Sequence, residues 1–187
     1  MGKYLKLTGG SFTGRRLHVP RTGTRPATNR VREAIFNVLN SFFNQGIKGL
    51  KVLDLFAGSG SLGLEALSRG VASCIFIDND PNATRSIRKN MELLKVNGEV
   101  ILSTVHAYLR AKKGLCVNLV FMDPPYRYTG CGEIIRLLRE ALDGGFSPLL
   151  IYERSYEEKE PDIGKNALLV KRKRYGQTEL LYYRIEK

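Results

Sequence analysis

Two hydrophobic periods run along the chain. Residues 3–7 and 15–19 flank Gly9-Gly10-Ser11-Phe12-Thr13-Gly14 and predict a β-hairpin with a glycine-rich turn. A helix is expected from Thr28 or Asn29, because Val31, Ile35, Val38, Leu39 and Phe42 then recur at helical spacing. Short apolar runs at 51–55, 73–77, 100–102, 117–122 and 149–153 read as strands. Between them lie helical stretches at 61–69, 105–112 and 133–142, and one opened by Asp80-Pro81, where Asp caps free N–H groups and Pro fits the first turn. In that helix Ala83, Ile87, Met91 and Leu94 share one face while Arg85, Arg88 and Lys89 look outward. Strands alternating with helices imply an α/β fold with a parallel sheet covered on both faces. Beyond residue 153 the pattern changes. Residues 167–174 and 179–185 flank Tyr175-Gly176-Gln177-Thr178 and predict a terminal antiparallel hairpin. The chain thus divides into a hairpin and loop over 1–27 and an α/β domain over 28–187.

With 187 residues, 43% of them hydrophobic, the chain can bury a substantial core without disulfides or metal. No apolar run approaches the ~18 residues of a membrane span, and residues 1–6 lack a signal-peptide core, so a cytoplasmic protein without membrane partners is expected. Cys74, Cys116 and Cys131 are widely spaced and form no Cys-x-x-Cys pair, so no metal site is expected.

The net charge of +12 changes the picture through its distribution. Residues 1–32 hold eight basic side chains and no acid; residues 165–175 hold five more, again with no acid. Two uncompensated basic stretches point to a polyanion. No basic amphipathic helix accompanies them, so nucleic acid is favoured over a membrane surface. Lys3, Lys6, Arg15, Arg16, Arg25, Arg30 and Arg32 are the candidate phosphate contacts, with Lys171 to Arg174 as a second cluster.

Chemistry enters with two motifs. The first, Asp54-Leu55-Phe56-Ala57-Gly58-Ser59-Gly60-Ser61-Leu62-Gly63, follows a strand and opens a helix. Glycines let the backbone turn sharply and approach a nucleoside. Asp78, twenty residues after Gly58, can accept hydrogen bonds from both ribose hydroxyls, with Asn79 beside it. Dinucleotide oxidoreductases share this glycine pattern. Asp54 tilts the reading towards S-adenosylmethionine: its charge suits an ammonium and would repel a pyrophosphate. Phe56, Ala57, Gly58, Gly60 and Asp123 complete the expected cofactor lining.

The second motif, Asp123-Pro124-Pro125-Tyr126, ends an apolar strand in a rigid loop at the sheet edge where ligands collect. An amino group conjugated to a base is a poor nucleophile. The Asp123 carboxylate and Pro124 carbonyl can accept its two N–H bonds and turn its lone pair towards a methyl donor. Tyr126 can stack on the unpaired base. Asp123, Pro124 and Tyr126 are therefore the catalytic candidates. His106 reads as an exposed helix-start residue, His18 as a hairpin residue, and Tyr182 and Tyr183 as core. Glu153 reads equally well as a site-edge acid or a structural acceptor.

Together with these motifs, Gly9-Gly10, Gly14-Arg15, Arg25-Pro26, Arg30-Val31-Arg32-Glu33, Phe36-Asn37 and Gly176-Gln177 resemble the RsmD family from end to end. The resemblance implies a Rossmann-like, seven-stranded class I methyltransferase sheet, mostly parallel, with a C-terminal antiparallel hairpin and an N-terminal β-hairpin. It implies transfer of a methyl group from S-adenosylmethionine to a guanine N2 in 16S ribosomal RNA, with the small ribosomal subunit or its assembly intermediate as partner. A monomer is expected. Thr104-Val105 departs from the family's Asp or Asn followed by Ala, so a hydroxyl or backbone group would serve the adenine there. The competing activities are adenine-N6 nucleic-acid and glutamine-N5 protein methylation, since the tetrapeptide suits any planar amino group.

Overall fold

The computed structural model describes residues 4–19, 29–165 and 167–186. Its elements are β1 (Tyr4–Lys6), β2 (Arg16–His18), α1 (Asn29–Phe42), β3 (Asn44–Ile47), β4 (Lys51–Leu55), α2 (Ser61–Ser68), β5 (Ser73–Asp78), α3 (Pro81–Leu94), β6 (Glu99–Leu102), α4 (Val105–Ala111), β7 (Leu119–Met122), α5 (Cys131–Ala141), β8 (Leu149–Ser155), β9 (Ala167–Tyr175) and β10 (Thr178–Ile185). β3 is an addition to the expected elements. Its Asn-Gln-Gly-Ile sequence has no alternation to reveal it, and Gly46 takes a positive φ of 65°.

Seven strands form one sheet in the order β6-β5-β4-β7-β8-β10-β9. The first five are parallel; β10 runs antiparallel to both β8 and β9. This is the Rossmann-like class I methyltransferase sheet with its C-terminal hairpin. Successive residues of a strand face opposite sides, and β7 shows the result. Leu119 and Phe121 enter the core shared with α1, α2 and α3, while Val120 and Met122 enter the one shared with α4 and α5. All four are buried, which is why this strand reads as an unbroken apolar run. α3 begins as its sequence dictates: the Asp80 carboxylate accepts from Asn82 N at 2.8 Å and Pro81 occupies the first turn.

The strand order reverses between β5-β4 and β7-β8, which opens a crevice at the carboxyl ends of β4 and β7. The N-terminal hairpin packs elsewhere, against α2 and α3. Leu5, Leu7 and Leu17 join the core of α1. Asn90 of α3 acts as a surrogate peptide for β2, accepting from His18 N at 2.8 Å and donating to His18 O at 2.9 Å.

The joint is the fully buried Glu65 of α2. Its carboxylate accepts from Thr8 N (2.9 Å), Thr8 Oγ1 (2.8 Å) and Arg69 Nε (3.0 Å), and lies 3.7 Å from Arg32 Nε. Arg32 is itself fully buried and donates to Lys6 O at 2.5 Å and Asn29 Oδ1 at 3.0 Å. Burial lowers its pKa, and the nearby Glu65 charge opposes that. Removing Glu65 would strand this guanidinium. Glu65→Ala is expected to destabilise the protein by about 3–5 kcal/mol, the usual effect of breaking a buried pair. Urea unfolding checks this; a loss under ~1 kcal/mol would mean that water reaches Arg32.

Candidate active site

The chain leaves β4 through a sharp turn. Phe56, Gly58 and Gly60 all have positive φ (59°, 55° and 74°), a conformation glycine adopts freely and other residues rarely do. Phe56 is the strained member, its ring meeting that of Tyr128 edge-on with centroids 5.2 Å apart. Ala57 N donates to Ile77 O at 2.9 Å, tying the turn to the end of β5. Gly63 meets a separate need: a Cβ there would lie 2.2 Å from the Phe76 ring. Glycine thus lets α2 rest directly on β5, as the third glycine of such loops does.

Carboxylates gather around this turn. Asp54 is buried on β4, and its Oδ2 accepts from Gly63 N at 2.9 Å. Burial pushes its pKa up to about 8; the Gly63 bond opposes this, and the charges of Asp123 and Asp78 add to it. Asp78 closes β5. Its Oδ2 accepts from Gly58 N (2.7 Å) and its Oδ1 from Asp80 N (2.8 Å). A carboxylate has about four acceptor sites, so each oxygen can still receive a ribose hydroxyl.

The Asp123-Pro124-Pro125-Tyr126 tetrapeptide follows β7 directly. The pairings Leu55–Met122 and Met122–Tyr152 set Asp123 between the glycine turn and Glu153 of β8. Burial raises the pKa of Asp123 to about 7. Burial and the Asp123 charge together raise that of Glu153 to about 8. Glu153 Oε2 is buried without a hydrogen-bond partner. The two prolines lead into a turn closed by Tyr128 N donating to Pro125 O at 3.1 Å. Tyr126 at its tip is 70% exposed, free to meet a base.

On the neighbouring loop, Thr104 caps α4 by accepting from Ala107 N at 3.2 Å, and its hydroxyl proton remains to donate. Val105 is buried, and Asn79 is exposed beside Asp78. His106 is tied down: Tyr128 Oη lies 3.2 Å from its Nδ1, and Glu133 lies 3.3 Å from its Nε2. Tyr128 was the residue sequence reasoning missed, since nothing in its local pattern signals the Phe56 contact. Lys6, Arg15, Arg16 and Arg30 are exposed as expected of phosphate contacts. Lys3 and Arg25 lie outside the described residues. Arg32 corrects the expectation: it is buried against Glu65 and Lys6 O, with no face for RNA. The outer face of the hairpin sets Lys6 opposite Arg16, a like-charge pair that costs stability unless an anion relieves it.

A glycine turn, buried acids at the ends of β4 and β5 and an Asp-Pro-Pro-Tyr loop on this sheet define a class I S-adenosylmethionine-dependent methyltransferase. The family model described as Conserved hypothetical protein 95 matches residues 5–184. Ribosomal RNA small subunit methyltransferase D of Escherichia coli K12 is 38% identical over 187 residues, covering 97% of this chain and 90% of that one. Its Haemophilus influenzae namesake is 33% identical over 178 residues, covering 92% and 89%. A solved Escherichia coli structure named as a methyltransferase, yhhF, superposes with a TM-score of 0.86 at 37% identity, covering 98% of this chain and 99% of that one. A Haemophilus influenzae structure named as a methylase gives 0.82 at 29% identity, covering 99% and 100%. The chain belongs to the RsmD family.

The raised pKa of Asp54 generates a test of the cofactor site. Near neutrality its carboxyl holds a proton that must leave before it can pair with an ammonium. S-adenosylmethionine affinity should therefore rise with pH between about 6 and 7, with proton release on binding. Calorimetry in buffers of different ionisation enthalpy measures that release. Asp54→Asn should weaken binding and remove most of it; undiminished release would place the ammonium elsewhere.

Proposed function

We propose that this protein methylates the exocyclic N2 amino group of a guanine in 16S ribosomal RNA, acting on the small ribosomal subunit or an assembly intermediate of it. The observation that carries the reading is the placement of Asp123-Pro124-Pro125-Tyr126 beside the glycine turn, on a chain whose exposed hairpin face is basic. The named activity of the small-subunit relatives supports the RNA substrate. The Lys6–Arg16 face argues against a peptide.

S-adenosylmethionine, when bound, supplies an electrophilic methyl group on a positively charged sulfur. The glycine turn, Asp54 and Asp78 hold the cofactor. Tyr126 offers its exposed ring to the target base. The Asp123 carboxylate and Pro124 carbonyl accept the N–H bonds of the amino group, orienting its lone pair and favouring the positive charge that develops on nitrogen. Only the ionised Asp123 carries the negative charge that favours the developing cation, so the rate should climb through its pKa of about 7 and level off above it.

Asp123→Asn keeps the shape and removes the charge. Single-turnover methylation should fall roughly a hundred- to a thousandfold, the usual loss for one such group. Tyr126→Ala should impair base capture, and Tyr126→Phe should preserve it, because stacking needs only the ring. Labelled methyl transfer to unmodified small-subunit particles, with products resolved by mass spectrometry, tests these outcomes. Near-normal N2-methylguanosine formation by Asp123→Asn would refute the catalytic role. A different methylated nucleoside from the unaltered protein would refute the substrate.

A further inference from the structure

A groove between α1 and β9 takes no part in the chemistry above. It encloses about 500 Å³, and its walls include Arg30, Glu33 and Asn37 of α1 and Lys171, Lys173 and Tyr175 of β9. Strand alternation divides the basic run of β9 between two faces. On one face Arg172 is held by Glu160 (2.6 Å) and Glu179 (3.1 Å), and Arg174 lies over the Tyr156 ring, 3.4 Å from its centroid. Those charges are structurally engaged. Lys171 and Lys173 face the groove. Among the described residues neither they nor Arg30 forms an ion pair, and the nearest group to note is the Phe42 ring, 5.7 Å from Lys171 Nζ.

The groove also has a direction. Tyr175 pairs with Thr178, and Thr178 pairs with Ser155 at the end of β8. Glu153 pairs with Leu180 and Leu180 with Lys173, so Lys173 lies level with Glu153, Tyr175 one step beyond it towards the carboxyl end of β8, and Lys171 one step behind. Alternate residues of a strand are about 7 Å apart, a spacing comparable to that of successive phosphates on an extended chain.

We propose that this groove holds the RNA strand flanking the target nucleotide, with Arg30, Lys171 and Lys173 against its phosphates, Lys173 level with Glu153 of the site, and Tyr175 at the end towards the carboxyl edge of the sheet. The proposal rests on the RNA-methyltransferase reading. A cavity of this size admits one strand's backbone, and a cationic track ending at an aromatic ring is how proteins grip single strands without reading their sequence. Glu33 on the wall opposes the lysines, and three cations against one acid leave the groove attractive to a polyanion.

The test measures binding of the full chain to small-subunit ribosomal RNA transcript as a function of salt. Each phosphate contact to a single strand contributes roughly 0.7 to the slope of log K against log salt. The double variant Lys171→Gln/Lys173→Gln should flatten the slope by about 1.4, while Lys171→Arg/Lys173→Arg should restore it. Unchanged S-adenosylmethionine affinity, read by calorimetry, shows that the glutamine variant is folded. A slope unaltered in that folded variant overturns the groove assignment alone. Absence of salt-dependent RNA binding by the unaltered protein overturns the substrate reading, and the groove with it.

Discussion

Four carboxyl groups crowd one dry edge of the sheet, and the chemistry depends on the strain of keeping them there. Asp54, Asp78 and Glu153 come from the carboxyl-end halves of β4, β5 and β8, and Asp123 from the loop after β7, which lies between β4 and β8. Three of them, Asp54, Asp123 and Glu153, titrate well above their ordinary range because burial disfavours their charge, and neighbouring carboxylates add to this at Asp54 and Glu153. A carboxyl whose folded pKa is raised contributes stability below its unfolded pKa of about 4 and loses that contribution as pH rises through the folded value. At neutral pH this carboxyl cluster is therefore a source of instability, and a cation is what relieves it. S-adenosylmethionine carries positive charge on its ammonium and its sulfonium. The protein spends fold stability on attraction to its cofactor, the recurring trade at sites where buried charge serves function.

Much of this was legible in the chain. Period-two and period-3.6 patterns placed every strand of the large sheet and all five helices to within a few residues, because each packs an apolar face against a neighbour. Asp80-Pro81 announced α3 through local capping chemistry alone. β3 was invisible because Asn44–Ile47 has no alternating face. The motifs located the turn, Asp78 and the Asp-Pro-Pro-Tyr loop, since each needs its residue type for a local reason. Arg32 shows where that reasoning ends. In sequence it is one of a row of arginines, and only the return of α2 with Glu65 separates it from the others by burying it. Tyr128 and Glu153 escaped a firm reading likewise, because the groups that set their surroundings, Phe56 and His106 for Tyr128 and Asp123 for Glu153, come from other elements.

The basic surface is subject to a similar division. A count of charges cannot tell which side of β9 a residue faces, yet alternation gives Arg172 and Arg174 to internal bonds and leaves Lys171 and Lys173 unpaired. The hairpin behaves alike: Leu5 and Leu17 go inward, while Lys6 and Arg16 meet on the outside at an electrostatic cost. Charge of this kind, maintained against self-repulsion, is the mark of a surface shaped for a polyanion.

The Glu65 joint gives the hairpin a further property. Thr8, Arg32 and Arg69 converge on one buried carboxylate, and Asn90 stitches the other strand to α3, so the arm is fixed at both strands to the helices that pack beneath the cofactor turn. An arm clamped in this way keeps a constant span to the Asp-Pro-Pro-Tyr loop. On the proposed reading, an RNA gripped at the hairpin would present its nucleotide for methylation by distance along its fold, as a jig sets where a drill meets the work. Sequence letters around the target then matter less than the shape that carries it to the right place.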